Sequence, residues 1–160
     1  MYHPANDLRR ITLSRSSQTF NTLSDRASLK GDMSATNSVR VMLVEDHTAF
    51  RQALAFLLDQ EPGIEVVAQS GSLAEAREAL IAEGRLDVAV LDLSLPDGDG
   101  SELIGELRRR KAGVSVVVLS EPIDPGRPEE VSGAGASAVL DKSHSPSTIA
   151  REVRHAGRGG

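Results

Sequence analysis

Four times after residue 38, a short aliphatic run ends on a polar side chain. Val41-Met-Leu-Val44 leads to Glu45-Asp46, Val88-Ala-Val-Leu91 to Asp92, Val116-Val-Val-Leu119 to Ser120, and Ala138-Val-Leu140 to Asp141-Lys142. Runs that are apolar at every position, rather than at alternate ones, suit strands buried on both faces of a parallel sheet. Segments of helical period lie between them, the alternation expected of βα units.

The elements can be placed from their signals. Phe50, Ala53, Leu54, Leu57 and Leu58 recur at helical spacing and predict a first helix with those residues inward, ended by Pro62-Gly63. Ile64 to Ala68 reads as a second strand. Ser72, with Glu75 three residues on, is a capping box for a second helix with Leu73, Ala76, Ala79 and Leu80 inward, closed by Gly84. Leu95-Pro-Asp-Gly-Asp-Gly100 is a turn-forming loop, after which Asp99 and Glu102 cap a third helix facing inward through Leu103, Ile104 and Leu107. Three prolines and three glycines between residues 121 and 136 leave room only for a short fourth helix after Pro128. Ser145-Pro146 opens the last helix, with Ile149 and Val153 inward. The fold class is α/β.

Length and composition bound what the chain can do. With 160 residues there is room for one domain with a sizeable core, which must be packed from Val, Leu, Ile and Ala because Phe50 and Phe56 are the only aromatics after residue 38. Stacking on nucleic-acid bases is therefore not expected. Residues 39–160 carry thirteen Lys and Arg against twenty Asp and Glu, and so acidic a surface argues against direct nucleic-acid or anionic-membrane binding. There is no cysteine for a disulfide or thiolate metal site, which fits a cytoplasmic location, and no apolar run long enough to span a bilayer. Residues 1–38, with eleven Ser or Thr and no apolar period, read as a disordered arm; their Arg and Ser content overlaps with transit peptides, and Met33 is an alternative translation start.

In an open α/β sheet the ligand crevice lies beyond the carboxyl ends of the strands. Two acids, a hydroxyl and an ammonium meeting there suit a phosphoryl group and a divalent cation. Taken singly, each has a plainer reading, since a lone Asp at a strand end is commonly a turn or cap residue. His47 reads as flanking the first helix, and His144 and His155 have no partners at ligand spacing. Arg108 to Lys111 read as a solvated helix C-terminus rather than a binding patch.

Val44-Glu45-Asp46-His47, Leu91-Asp92-Leu-Ser-Leu-Pro96 with Gly98 and Gly100, Val118-Leu-Ser120, Gly135-Ala-Ser137 and Asp141-Lys142 together resemble the receiver domains of two-component response regulators. The wording is nearest to the subfamily that normally carries a LuxR-type helix-turn-helix. The resemblance covers residues 39–157, leaving 158–160 as tail or linker. It implies a flavodoxin-like, doubly wound five-stranded sheet of order 2-1-3-4-5, with helices on both faces and the fourth short or irregular.

It also implies roles. Asp92 would accept a phosphoryl group from a sensor histidine kinase or phosphotransfer protein. Lys142 would pair with that group, and with Asp92 in its absence. Ser120 would hydrogen-bond a phosphoryl oxygen. Mg²⁺ would be held by Asp46, Asp92 and the backbone carbonyl of Ser94, with Glu45 acting through water. Such a protein assists its own phosphorylation without being a turnover enzyme, and a second copy of the chain is a candidate partner.

Two departures stand out. Val139 occupies the position where receivers usually carry Tyr or Phe, three residues before the lysine, and valine has no ring to bury. The fourth-helix segment is degraded in the same region. Both motivate an alternative, a receiver-like interaction module that works without phosphorylation. An aspartyl phosphatase of the haloacid-dehalogenase kind is a third reading, disfavoured by Ser94 where those enzymes have a second acid. The chain runs eighteen residues past Lys142, too few for a helix-turn-helix, so a single-domain regulator and a piece of a longer transcription factor both remain open.

Overall fold

The computed structural model describes residues 37–121 and 125–159. The expected arm at 1–38 therefore falls, except for Asn37 and Ser38, outside the described residues; Ser38 is buried and its carbonyl accepts a hydrogen bond from Arg85.

The chain alternates strands and helices in the order β1 (Val39–Val44), α1 (Thr48–Gln60), β2 (Ile64–Ser70), α2 (Leu73–Ala82), β3 (Val88–Leu91), β4 (Ser94–Leu95), β5 (Gly98–Asp99), α3 (Ser101–Arg110), β6 (Ser115–Ser120), α4 (Arg127–Ala134), β7 (Ala138–Asp141) and α5 (Pro146–Arg158). The main sheet has five strands, all parallel, in the order β2-β1-β3-β6-β7. Without the small antiparallel hairpin β4–β5, this is the expected 2-1-3-4-5 order. The direction of winding reverses between β1 and β3, where an open sheet forms its crevice.

Each strand alternates its side chains between two cores. Val44, Leu91 and Val118 pack with Leu73, Ala76 and Leu80 of α2, Leu103, Ile104 and Leu107 of α3, and Val131 of α4. Leu43, Val90, Val117 and Leu119 pack on the other face with Leu54, Ala55 and Leu58 of α1 and with Ile149, Ala150, Val153 and Ala156 of α5. Fully burying one such aliphatic side chain contributes about 1.5–3 kcal/mol.

The helix starts follow the sequence with two corrections. Ser72 accepts a hydrogen bond from the Glu75 N–H at 3.2 Å, and Ser145 accepts from the Thr148 N–H at 3.2 Å, with Pro146 in the first turn. Helix α3, however, is capped by Gly100 rather than Asp99, whose carboxylate instead accepts from the Ser101 N–H at 2.8 Å. Only glycine fits there, because a Cβ would overlap the Asp92 carbonyl oxygen. The second correction concerns α1, where Ala53 and Leu57 are exposed and the buried stripe is Leu54, Ala55 and Leu58. Helix α4 is short, as expected, running eight residues from the left-handed Gly126 to the left-handed Gly135.

Candidate functional site

Strand β1 delivers Glu45 and Asp46, β3 delivers Asp92, and β7 delivers Lys142 to one rim of the sheet. Glu45 and Asp92 are 2% and 4% exposed. The Lys142 Nζ lies 2.7 Å from the Glu45 Oε2 and 2.9 Å from the Asp92 Oδ2, an ion triad bridging three strands. The same three residues continue the strand rows that face α1 and α5, which is why they meet. Phe50, in the first turn of α1, sets its ring 5.4 Å from the ammonium. These residues, with Asp46, His47, Ser94 and Glu121, line a cavity of about 490 Å³.

The remaining bonds hold the acids in place. The Asp92 Oδ1 accepts from the Ser94 N–H at 3.1 Å, and the Glu45 Oε1 accepts from the His47 N–H at 2.9 Å. Arg51 donates to the Glu45 carbonyl, pinning the turn that carries both acids. Burial pushes the Glu45 carboxyl above its ordinary value, and the Asp92 charge adds to this, against the pull of Lys142 and the His47 N–H. Burial also works against the Lys142 ammonium, but its bonds to Glu45 and Asp92 outweigh it and hold Lys142 above its ordinary value.

Oxygens of Glu45, Asp46 and Asp92 lie within 4.8 Å of one another, two of the residues buried and one exposed. Three carboxylates with no nitrogen or sulfur donor suit a hard divalent cation of octahedral habit, so the donor set fits Mg²⁺.

Ser120 is placed differently from the others. It ends β6 opposite Asp141, and its carbonyl accepts from the Lys142 N–H at 2.8 Å. Its side chain belongs to the row of Val116 and Val118, and the next residue, Glu121, lines the cavity instead. Glu121 and the ring of Phe50 are the cavity residues that sequence reasoning missed. His47 caps α1 through its backbone, as a flanking residue, and also reaches the cavity. Arg108, Arg109 and Arg110 occupy the last turn of α3, and the Lys111 ammonium bonds the Glu83 carbonyl. His144 and His155 stand outside the cavity lining.

A five-stranded parallel sheet with an acid-lysine cluster at its switch point defines an open α/β domain with its polar site at the carboxyl rim, and comparison with known proteins places it. Residues 41–154 match the model of the response regulator receiver domain, and the chain belongs to that family. It is 38% identical over 121 residues to the DNA-binding transcriptional activator DevR/DosR of Mycobacterium tuberculosis, covering 76% of this chain and 55% of that protein. The signal receiver domain of the response regulator NarL from the same organism superposes with a TM-score of 0.72 at 27% identity, covering 78% of this chain and 99% of that one. A LuxR-family two-component response regulator from Aurantimonas gives 0.69 at 28% identity, covering 76% and 86%. The relatives are of the LuxR and NarL type, and the chain spans little more than half the length of the activator. Family membership removes the haloacid-dehalogenase reading.

Receivers are signalling proteins whose family generally binds Mg²⁺ at an acidic cluster and is served by histidine kinases. Among the described residues no helix is long and apolar enough to cross a membrane.

Proposed function

We propose that this receiver accepts a phosphoryl group on Asp92 from the phosphohistidine of a sensor histidine kinase or phosphotransfer protein. A carboxylate oxygen of Asp92 forms the new P–O bond as the P–N bond of the phosphohistidine breaks, with the histidine nitrogen as leaving group. A carboxylate is a weak nucleophile, so position and charge compensation must do most of the work. Glu45, Asp46 and Asp92, with the Ser94 carbonyl, would hold Mg²⁺, which supplies charge neutralisation to the transferring group. Lys142 stays with the anion as it moves from the Asp92 carboxylate to the phosphoryl oxygens. Ser120, at the end of β6, is the hydroxyl that phosphorylation draws toward the new ester, changing the surface that follows it.

The observation that carries this reading is Lys142 held between Asp92 and Glu45. Desolvating two acids and an ammonium is costly. Two buried acids left to a single ammonium, beside a third acid that completes a cation's donor set, favour a phosphoryl site over the interaction-module alternative. The protein is then a cytoplasmic signalling switch rather than a turnover enzyme, acting through protein contacts, a second copy among them, and on transcription where a helix-turn-helix follows in a longer chain.

Beryllofluoride, a phosphoryl mimic, tests it. With Mg²⁺ present it should shift the amide resonances of β6, β7 and α4 in the wild type and leave Asp92→Asn unmoved. An unresponsive wild type, or an equal response in the variant, would overturn the proposal.

A further inference from the structure

The cavity carries more negative charge than phosphoryl transfer asks for. Glu45, Asp46, Asp92 and Glu121 set four carboxylates around it against one cation, Lys142. The first three form the cluster that suits a divalent ion, and two of them hold the lysine. Glu121 belongs to neither arrangement. It is exposed, and no described residue pairs with it.

It directly follows the last residue of β6. Val117 and Leu119 are buried on the α1/α5 side of β6, and Glu121 is the next residue of that row. The bond from the Lys142 N–H to the Ser120 carbonyl ties the end of β6 to the residue carrying the ammonium. The carboxylate therefore belongs to the exposed part of the lining of the cavity that holds Asp92.

We propose that Glu121 is a specificity-determining residue, an electrostatic gate that weakens the entry and retention of free phosphoryl anions and so disfavours loading of Asp92 by small anionic phosphodonors. The inference rests on Asp92 being the acceptor. With a divalent cation bound, the remaining three acids, Lys142 and the ion sum to neutral, and the Glu121 charge is the excess that an incoming anion meets. Because Glu121 is exposed, the repulsion is local and screened by salt. A phosphohistidine carried by a protein partner fills the mouth and excludes that water, and can set a cation against Glu121; a free donor brings only its own negative charge.

The test titrates beryllofluoride into the full chain at saturating Mg²⁺, following methyl resonances, at about 0.02 M and about 0.5 M salt, where the screening length falls from roughly 20 Å to roughly 4 Å. Glu121→Gln keeps the shape and removes the charge. It should bind beryllofluoride about three- to tenfold more tightly than wild type at low salt, with most of the gain lost at high salt. Glu121→Ala should behave likewise, and Glu78→Gln, on the exposed face of α2, should match the wild type. Mg²⁺ affinity, measured separately by calorimetry, should fall in Glu121→Gln at low salt and return toward the wild-type value at high salt, because the charge that repels an anion also attracts the cation.

Equal binding by Glu121→Gln and wild type overturns the gate. So does an equal gain in Glu78→Gln, which would make it a matter of net charge, a gain in Glu121→Ala alone, which would make it steric, or a large loss of Mg²⁺ affinity that persists at high salt, which would make Glu121 a ligand. A wild type that does not bind beryllofluoride at all overturns the acceptor reading itself, a different failure from equal binding by the two proteins.

Discussion

At Gly100 the third helix starts against the backbone that follows Asp92, with its N–H bonded to the Leu93 carbonyl at 2.8 Å. A Cβ there would overlap the Asp92 carbonyl oxygen and crowd the Leu93 Cα, and backbone cannot swing aside as a side-chain tip can. Gly100→Ala should therefore cost about 1–3 kcal/mol in urea unfolding, as overpacking does, and should weaken Mg²⁺ binding by displacing Asp92. A variant as stable as wild type would show that the approach is looser than described. Glu45 gives a second residue-scale expectation, in pH. Its folded value is raised above the ordinary 4.5, so the native protein holds that proton more tightly than the unfolded chain does. The stability it contributes is complete below about 4.5 and is lost as pH rises through the raised value, so in metal-free buffer the wild type should weaken over that interval while Glu45→Gln stays flat. The site was partly legible at this scale. Asp46, Asp92 and Lys142 could be picked out because each closes an aliphatic run, whereas Glu45 came from the likeness to receivers. Glu121 could not be told from Ser120, because a run apolar on both faces carries no alternation to say which residue takes which face.

Helix α1 shows the same ambiguity in helical form. Phe50, Ala53, Leu54, Leu57 and Leu58 satisfy the period, but so does the neighbouring stripe of Leu54, Ala55 and Leu58 that the sheet buries; a rotation of part of a turn decides between them, and packing rather than spacing sets it. Leu58 is fully buried whereas Leu57 is 40% exposed. Denaturant midpoints should separate the two, with Leu58→Ala costing about 2–5 kcal/mol and Leu57→Ala well under about 1 kcal/mol. Helix α2 was read correctly at its Ser72 cap but has another that sequence does not show. The Asp97 carboxylate, in the turn between β4 and β5, accepts from the Leu73 and Ala74 N–H groups at 2.8 and 2.9 Å, across more than twenty residues. Local spacing cannot reveal a cap donated from another element. Those backbone bonds hold the Asp97 carboxyl below its ordinary 3.8, so its contribution is complete above about 3.8 and is lost as pH falls through the lowered value. Asp97→Ala should lower the unfolding midpoint at neutral pH and flatten the acid limb, and an acid limb identical to wild type would remove Asp97 from the account.

The whole sheet was legible as a class because alternation of aliphatic runs and helical segments leaves little but a parallel α/β fold. Strand order was not, since periodicity says nothing of which strand lies beside which; it came from the likeness to receivers, and the β2-β1-β3-β6-β7 order agrees. That order has a thermodynamic consequence. Acids from the ends of β1 and β3, far apart in the chain, converge only in the folded molecule, so a cation they bind stabilises the fold as a unit, by about 2.7 kcal/mol at a hundred times the dissociation constant. Asp46 is the member to remove, because it is exposed and no described residue pairs with it, whereas Glu45 and Asp92 are buried against Lys142. Asp46→Ala should match the wild type in metal-free unfolding and fail to gain stability when Mg²⁺ is added. In the wild type, amide exchange in β1, β3 and β6, the inner strands of the sheet, should slow together under Mg²⁺, by up to about a hundredfold at that concentration where exchange requires global opening. Slowing confined to the loop around Asp46, with the central strands unchanged, would mean that the ion binds a local turn rather than the assembled rim.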